Sequence, residues 1–330
     1  MKLQVPFIQL PLRFDAGALA AEIQALEENC WKPHPQGFAG NSMLPLIAVD
    51  GDPDNESFAG AMRPTPHLAR CPYLAQAMGS IGATLGRSRL MRLSGHAEVA
   101  KHADQGYYWI ERVRVHVPII TQPTVRFFCG DAEVNMAAGE CWIFDTWRLH
   151  RVLNDNDHAR VHLVIDTVGG DRFWELAARG RALGAPQQAG WTPHPVAPMP
   201  GMKPELRFES VNVPTVMSPW EINTHLAFLF AESVPHPQLP ALQTLAARFS
   251  RHWQGLWACY GDRAEGRAQF RAVLDAFLRE FRAHGQQVVL RNNIQLFSAV
   301  MTIIGKVAVA ADHAPLRAAP IDPRAIGDRA

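Results

Sequence analysis

The chain has 330 residues, of which 48% are hydrophobic and 19% are charged, and its formal net charge is +1. This composition provides for a sizeable core and gives no reason to expect nucleic acid or an anionic membrane surface as a partner. The five cysteines are odd in number, widely spaced and without a CxxC pair, which argues against a disulfide framework and a cysteine-rich zinc site. Residues 1–12 lack a continuous apolar run and the run over 297–311 is interrupted, so we expect neither a secretory signal nor a membrane span, and a cytoplasmic location.

Hydrophobic spacing in the first half of the chain changes from helical to alternating. Apolar residues recur at helical intervals over 15–29 and again over 72–86, which predicts two amphipathic helices. From 89 to 169, short runs alternate between apolar and polar residues and are separated by turn residues. Several short strands without helices between them are typical of a sandwich or of a jelly-roll barrel.

The second half of the chain is predicted to be helical. A segment rich in Pro, Gly and Gln over 184–204 is the best linker candidate. The run Ser218-Pro219-Trp220-Glu221 predicts a helix start, with an N-cap serine, proline at the first position and glutamate at the third. Further helices are predicted over 240–260, 266–284 and 293–311. These helices carry no catalytic pattern, so we expect them to pack on the β region, to shape substrate access or to form a homodimer.

The predicted architecture is therefore α+β. We expect a double-stranded β-helix, a jelly-roll and cupin-like barrel, with flanking helices over 1–183, a linker over 184–204 and a helical domain over 205–314. The tail over 315–330 is rich in Pro, Ala and Arg and is predicted to be disordered.

Three side chains of the β region have the residue types of a metal site. His102 and Asp104 lie two residues apart, so on a strand or at its mouth their side chains point the same way. His150 follows a turn and a predicted buried strand, and it would supply a third ligand from a distant strand. Two histidines and one carboxylate leave half of an octahedral Fe(II) open for other ligands. The HxD tripeptide alone also fits a surface loop, so this prediction depends on all three residues together.

Basic residues on two predicted strands are candidates for holding an anion. Arg160 begins a strand, and a guanidinium that faces into a barrel needs an anion such as a dicarboxylate. If the strand is half exposed, Arg160 faces solvent instead. Arg112, Arg114 and His116 share one face of another strand, where three cationic groups in a row would repel one another unless they were solvated or paired with anions. That face is either an anion-binding wall, which we favour, or a wet outer surface.

Residues 93–169 resemble the aspartyl/asparaginyl β-hydroxylase family of 2-oxoglutarate dioxygenases, and they are similar to the bacterial proline cis-4-hydroxylases. The motifs that carry this resemblance are HAD at 102–104, RVHVPI at 114–119, GECWIFD at 139–145, the single His150, and RVHLVID at 160–166. The resemblance covers about a quarter of the chain. The motifs are specific as a set, although any one of them is not.

The resemblance implies a role for each of these polar residues. Fe(II) and O2 would be used together with 2-oxoglutarate, and the catalytic iron ligands would be His102, Asp104 and His150. Arg160 would bind the C5 carboxylate of 2-oxoglutarate, and Arg114 and His116 would help to hold the same molecule.

The expected reaction is hydroxylation of an aliphatic carbon of an amino-acid side chain, most simply of an Asp or Asn residue in a peptide or protein. Arg112 favours this substrate, because the animal aspartyl hydroxylase has an arginine at this place and the proline hydroxylases do not. Free L-proline, or another free amino acid, is the alternative, since the proline hydroxylases share the carboxylate at Asp104. Arg112 and Trp109 are therefore candidate substrate residues. Two rival interpretations are a cupin-type metalloenzyme without a co-substrate and a non-catalytic cupin-type sensor of metal or small acids.

Overall fold

A computed structural model of the protein describes residues 1–35, 37–186 and 189–310. Its chain divides into two compact units, which we call the β unit and the helical unit. The β unit comprises Met1–Asp104 and Glu111–Ser210, and the helical unit comprises Gln105–Ile110 and Val211–Ala330. The short segment 105–110 thus interrupts the β unit in sequence but belongs to the helical unit.

The β unit consists mainly of strands. Those within the described residues are β1 (Phe7–Phe14), β2 (Lys32–Pro33), β3 (Asn41–Val49), β4 (Met62–Pro64), β5 (Thr84–Leu93), β6 (Glu98–His102), β7 (Val113–Ile120), β8 (Val125–Cys129), β9 (Ala132–Val134), β10 (Glu140–Phe144), β11 (His150–Asn154), β12 (Arg160–Gly169), β13 (Arg181–Ala182), β14 (His194–Val196) and β15 (Arg207–Phe208). Its helices are α1 (Ala16–Gln24), α2 (Pro66–Ala69), α3 (Pro72–Ser80) and α5 (Asp171–Ala178). The Asp15 carboxylate caps α1 by accepting a hydrogen bond from the Ala18 amide.

Two sheets organise these strands. The larger has the order β13-β1-β10-β7-β12-β5-β3-β2, with β14 beside β1, β15 beside β5 and β4 beside β3. The smaller has the order β6-β11-β8-β9. Pairing is antiparallel except where β14 and β15 join β1 and β5. The prediction of a mixed helix-and-sheet protein with antiparallel sheets is confirmed.

One hydrophobic cluster contains side chains from both sheets. Phe7 and Phe144 come from the larger sheet and Phe127 from the smaller one, and all three are buried. The rings of Phe127 and Phe144 lie 4.8 Å apart, and the Phe144 ring lies 4.9 Å from that of His150. Burial of such aromatic side chains contributes a few kcal/mol each, about 25 cal/mol per Å² of apolar surface. The predicted iron ligand His150 is thus packed against the core of the β unit.

The helical unit contains, within the described residues, α4 (Tyr107–Ile110), α6 (Pro219–Glu232), α7 (Leu239–Tyr260), α8 (Arg267–Gly285), α9 (Leu296–Val300) and a π-helical turn over Met301–Gly305. Helix α6 starts as predicted, with reciprocal hydrogen bonds between Ser218 and Glu221. The rings of Phe249 on α7 and Phe277 on α8 stack 4.1 Å apart. In the described part of the chain, no helix is both long and apolar enough to cross a membrane.

The structure differs from the sequence-based organisation at the predicted linker. The described residues 184–186 and 189–204 lie within the β unit, where β14 pairs with β1 and the Gln76 side chain donates a hydrogen bond to the Ala197 carbonyl at 2.8 Å. The division falls after Ser210 instead. Pro and Gly content marks irregular backbone, but it does not tell whether that backbone packs on a neighbouring strand. The predicted disordered tail at 315–330 lies outside the described residues.

Candidate metal centre and anion cluster

The three predicted iron ligands come together at one end of the smaller sheet. His102 ends β6 and His150 begins β11, and the antiparallel register pairs them directly across the two strands. Asp104 follows two residues after His102, and its Oδ1 lies 3.8 Å from His102 Nε2. One ligand atom from each of the three side chains lies within 4.8 Å of the other two. All three side chains are mostly inaccessible to solvent.

Backbone carbonyls orient both imidazoles. The Nδ1 atom of His102 is 2.7 Å from the Ala100 carbonyl, and that of His150 is 3.0 Å from the Arg148 carbonyl. A carbonyl only accepts hydrogen bonds, so each Nδ1 carries the proton and each Nε2 keeps its lone pair for a metal. Burial and, to a lesser extent, the neighbouring His102 together lower the pKa of His150 to about 3. His150 is therefore a neutral imidazole, as metal binding requires.

Arg114 orients the carboxylate of Asp104. Its Nη1 lies 3.2 Å from Asp104 Oδ2, an ion-pair contact without hydrogen-bond geometry, and its Nε donates to Asp166 Oδ1 at 3.0 Å. Burial raises the pKa of Asp104, but its neighbours, chiefly the Arg114 guanidinium, outweigh that effect and the net pKa is lowered. Asp104 is thus ionised.

These donors fit a divalent first-row metal such as Fe(II). Two imidazoles and an ionised carboxylate converge, and hydrogen bonds or ion pairs with neighbouring groups hold each of them in place. Arg114, which by resemblance would help to hold 2-oxoglutarate, forms ion pairs with both Asp104 and Asp166. The register that pairs Asp166 with Arg114 across β12 and β7 explains this contact. These contacts favour a role for Arg114 in orienting Asp104.

Arg160 is buried without a carboxylate partner. The residue is only 3% exposed to solvent, and its Nη2 donates a hydrogen bond to His162 Nδ1 at 2.8 Å. Its Nε has no hydrogen-bond partner, and no Asp or Glu of residues 1–35, 37–186 and 189–310 forms an ion pair with it. Burial lowers the pKa of Arg160 to about 9, which still leaves the guanidinium charged at neutral pH. A buried cation of this kind needs an anion, because an uncompensated charge in a protein interior is costly.

Two histidines adjoin Arg160, and we call the three residues Arg160, His116 and His162 the anion cluster. His116 Nδ1 lies 3.3 Å from His162 Nδ1, and the Nε2 atoms of both rings are buried and find no hydrogen-bond partner in the part of the chain that the structure describes. Burial lowers the pKa of His116 well below its usual range, and the charges of Arg160, Arg114 and His150 lower it further. The rings of His116 and His150 lie 5.4 and 4.9 Å from the ring of Phe144, so the anion cluster and the metal centre pack against the same side chain.

The two candidate substrate residues, Arg112 and Trp109, both contact other side chains of the protein. Arg112 is buried, and its Nε and Nη2 donate to the two carboxylate oxygens of Glu209 at 2.8 and 3.0 Å. It is therefore neither solvent-facing nor free to meet a substrate while this pair is intact. Trp109 lies in α4 of the helical unit, where its ring packs edge-on against Tyr108 at 4.9 Å. Trp109 therefore belongs to a different unit from the metal ligands.

Sequence reasoning missed a second group of basic residues in the β unit. Arg87 and Arg89 are buried on β5, two residues apart in an alternating run. Burial lowers the pKa of His34 to about 3, and the charges of Arg89 and Arg87 act in the same direction. His34 stacks loosely on Phe38, whose ring lies 6.3 Å from that of His102. The alternation in β5 was visible in the sequence, but alternation alone does not tell which face is buried.

Comparison with known proteins supports the family suggested by the motifs. The sequence model of the family described as Aspartyl/Asparaginyl beta-hydroxylase matches residues 52–169, which include the three candidate metal ligands and the anion cluster. The chain is 25% identical over 169 residues to L-proline cis-3-hydroxylase 1 from Streptomyces sp, a match that covers 48% of this chain and 56% of that protein. The predicted resemblance to the aspartyl/asparaginyl β-hydroxylase family and to proline hydroxylases is thus confirmed. The chain spans little more than half the length of this curated relative.

Two solved structures are also similar to this chain. A prolyl-4-hydroxylase from Pseudomonas putida has 16% identity and a TM-score of 0.34, over 50% of this chain and 92% of that one. A prolyl hydroxylase from Trichoplax adhaerens, solved with a peptide fragment of the hypoxia inducible factor oxygen degradation domain, has 9% identity and a TM-score of 0.37, over 52% of this chain and 87% of that one. TM-scores of this size are too low to establish a common fold.

Proposed function

We propose that this protein is an Fe(II)- and 2-oxoglutarate-dependent dioxygenase that hydroxylates an aliphatic carbon of an amino acid. One observation carries the proposal: the β unit holds a largely buried His–Asp–His set and, linked to it through His116 and Phe144, a buried arginine that has no carboxylate partner among the described residues. A metal with open positions and a buried cation together suit a co-substrate that has both a chelating end and a far carboxylate. We also propose that the two sheets form the double-stranded β-helix of this class.

Each group of residues has a separate task in this proposal. His102, Asp104 and His150 would hold Fe(II), and Arg160 would bind the far carboxylate of 2-oxoglutarate through bidentate hydrogen bonds. Bound Fe(II) would supply the activation of O2 that couples decarboxylation of 2-oxoglutarate to hydroxylation of the substrate. The protein contributes orientation of both co-substrate ends and exclusion of water from a largely buried site.

We propose a free amino acid, with L-proline as the first candidate, as the substrate. The choice of an Asp or Asn residue rested on Arg112, and the Glu209 carboxylate already occupies that guanidinium. The similarity to an L-proline cis-3-hydroxylase supports the same choice. An Asp or Asn residue in a peptide is the second candidate, because the matching family is described by that reaction.

The test is turnover of a substrate panel with Fe(II), 2-oxoglutarate and O2. Free proline, other free amino acids and peptides with Asp or Asn would each be incubated with the protein, and mass spectrometry would follow succinate and the gain of one oxygen atom. We expect a hydroxylated product and stoichiometric succinate with at least one free amino acid. Turnover that needs no 2-oxoglutarate would instead support a cupin-type metalloenzyme. Binding of metal and acid without any product would support a sensor.

A further inference from the structure

We propose that His162 is a positioning residue that fixes the orientation of Arg160 toward the far carboxylate of 2-oxoglutarate and holds His116 through the same ring nitrogen. This inference rests on the proposed function and deepens it. Neither the metal centre nor the roles that the family resemblance implies make use of His162. The contacts of its ring carry the argument.

The Nδ1 atom of His162 acts as a hydrogen-bond acceptor. A guanidinium nitrogen can only donate, so the 2.8 Å contact from Arg160 Nη2 requires a lone pair on His162 Nδ1. His162 is therefore neutral, with its proton on Nε2. Burial lowers the pKa of His162 well below its usual range, and the charges of Arg160 and His116 lower it further. The ring stays an acceptor at neutral pH and does not repel the guanidinium.

The same acceptor determines the state of His116. The two Nδ1 atoms lie 3.3 Å apart, and since His162 Nδ1 carries no proton, His116 must supply the hydrogen of this contact. The lone pair of His162 Nδ1 thus accepts hydrogen bonds from Arg160 on its own strand and from His116 on the neighbouring strand. The antiparallel register of β12 and β7 makes this possible, because it pairs Val164 with His116 and Pro118 with His162.

The unsatisfied atoms of the cluster indicate what it holds. Arg160 Nε and His162 Nε2 are buried donors without a hydrogen-bond partner in the described chain, and His116 Nε2 is a buried acceptor without one. Buried polar atoms are almost always satisfied in folded proteins, so the two donors in one cluster point to a ligand with acceptor atoms. A carboxylate has that capacity. His162 holds the Arg160 side chain in place so that this carboxylate need not order it on binding.

The test uses two ligands that differ only at the far end. 2-Oxoglutarate has the second carboxylate, and 2-oxopentanoate has the same five-carbon chain without it. Affinities for both would be measured by calorimetry on the Fe(II)-loaded full chain without oxygen. In His162→Leu we expect the Kd of 2-oxoglutarate to rise about 10- to 100-fold, the size of one lost hydrogen bond to a charged group, while the Kd of 2-oxopentanoate and of Fe(II) stay unchanged. A purely structural role would weaken both ligands alike.

Two amide variants keep the proposal testable if His162→Leu fails to fold. In His162→Asn the side-chain oxygen can take the place of Nδ1, and we expect 2-oxoglutarate affinity near that of the wild type. In His162→Gln the amide reaches toward the Nε2 position, and we expect the same loss as with leucine. Equal affinities for 2-oxoglutarate in the two amide variants would overturn the assignment. His158→Leu, an exposed change on the turn before β12, is the control and should leave both ligands unaffected.

The outcomes separate this inference from the function on which it rests. If the wild type binds no 2-oxoglutarate, the proposed function fails. If the wild type binds it and Arg160→Leu loses it, but His162→Leu binds it normally, only the role of His162 is refuted.

Discussion

The metal centre and the anion cluster occupy the same unit but are prepared for their ligands in different ways. In the metal centre, each ligand side chain has a partner within the protein, namely the carbonyls of Ala100 and Arg148 and the guanidinium of Arg114. In the anion cluster, Arg160 Nε, His116 Nε2 and His162 Nε2 have no hydrogen-bond partner among the described residues. The protein alone sets the geometry of the metal centre. The anion cluster holds a charge and hydrogen-bonding capacity that only a ligand would satisfy.

Removing a metal ligand should have the largest effect. We expect His150→Ala to abolish Fe(II)-dependent turnover while the fold survives, because a ligand is lost but little of the core is removed. Succinate formation, iron content and thermal unfolding would be measured together. The control is His158→Ala, which alters an exposed histidine. Normal activity and normal iron content in His150→Ala would rule out this metal centre.

Breaking the pair between Arg112 and Glu209 should affect stability more than ligand binding. Both side chains are buried, so Arg112→Leu leaves an uncompensated carboxylate and should lower the free energy of unfolding by about 3–5 kcal/mol, measured by urea denaturation. The double variant with Glu209→Leu should recover part of that loss. Arg151→Leu breaks the exposed pair with Glu98 and should cost at most about 1 kcal/mol.

The result for Arg112 also bears on the substrate. A fully folded Arg112→Leu protein could lose substrate turnover while slow 2-oxoglutarate decarboxylation continues. That result would assign Arg112 to the substrate site and favour an Asp or Asn substrate.

Removing the unpaired cation should weaken the co-substrate selectively. We expect Arg160→Ala to raise the Kd of 2-oxoglutarate about a hundredfold or more, because the carboxylate stays desolvated and loses a bidentate contact. Iron affinity should be unchanged. Arg160→Lys should rescue binding only in part, since an ammonium offers a point charge in place of a planar fork. An unchanged 2-oxoglutarate dependence in Arg160→Ala would contradict the role of Arg160.

Arg114 could serve either the metal centre or the binding of 2-oxoglutarate, and its substitution distinguishes the two roles. If it orients Asp104, Arg114→Gln should weaken Fe(II) binding by about 10- to 100-fold, as loss of a residue behind a metal ligand typically does. A competition assay with a chelator would measure this. The control is Arg126→Gln, which alters a half-exposed ion pair with Asp155. Weaker 2-oxoglutarate binding with normal iron affinity would instead support the role that the family resemblance implies for Arg114.

The local parts of the fold could be predicted from the sequence. Helix α6 begins at the capping box of Ser218 and Glu221, and α7 and α8 lie within a residue of the predicted bounds, because caps and apolar spacing act over a few neighbouring residues. The predicted helix over 293–311 was too long. Only Leu296–Val300 is α-helical, followed by a π-helical turn, and apolar content alone did not reveal that limit.

By itself, the sequence determined the residue types of the metal centre and the family to which they point, since HxD, a distal histidine and an arginine ten residues later are local signals. Only the tertiary structure decided how these residues meet. The β6–β11 register pairs His102 with His150, and Glu209 reaches Arg112 from 97 positions away. Strand register and such distant ion pairs depend on the packing of the whole sheet, which no local spacing records. For the same reason the sequence assigned no role to His162, whose ring contacts both Arg160 and His116 in the structure.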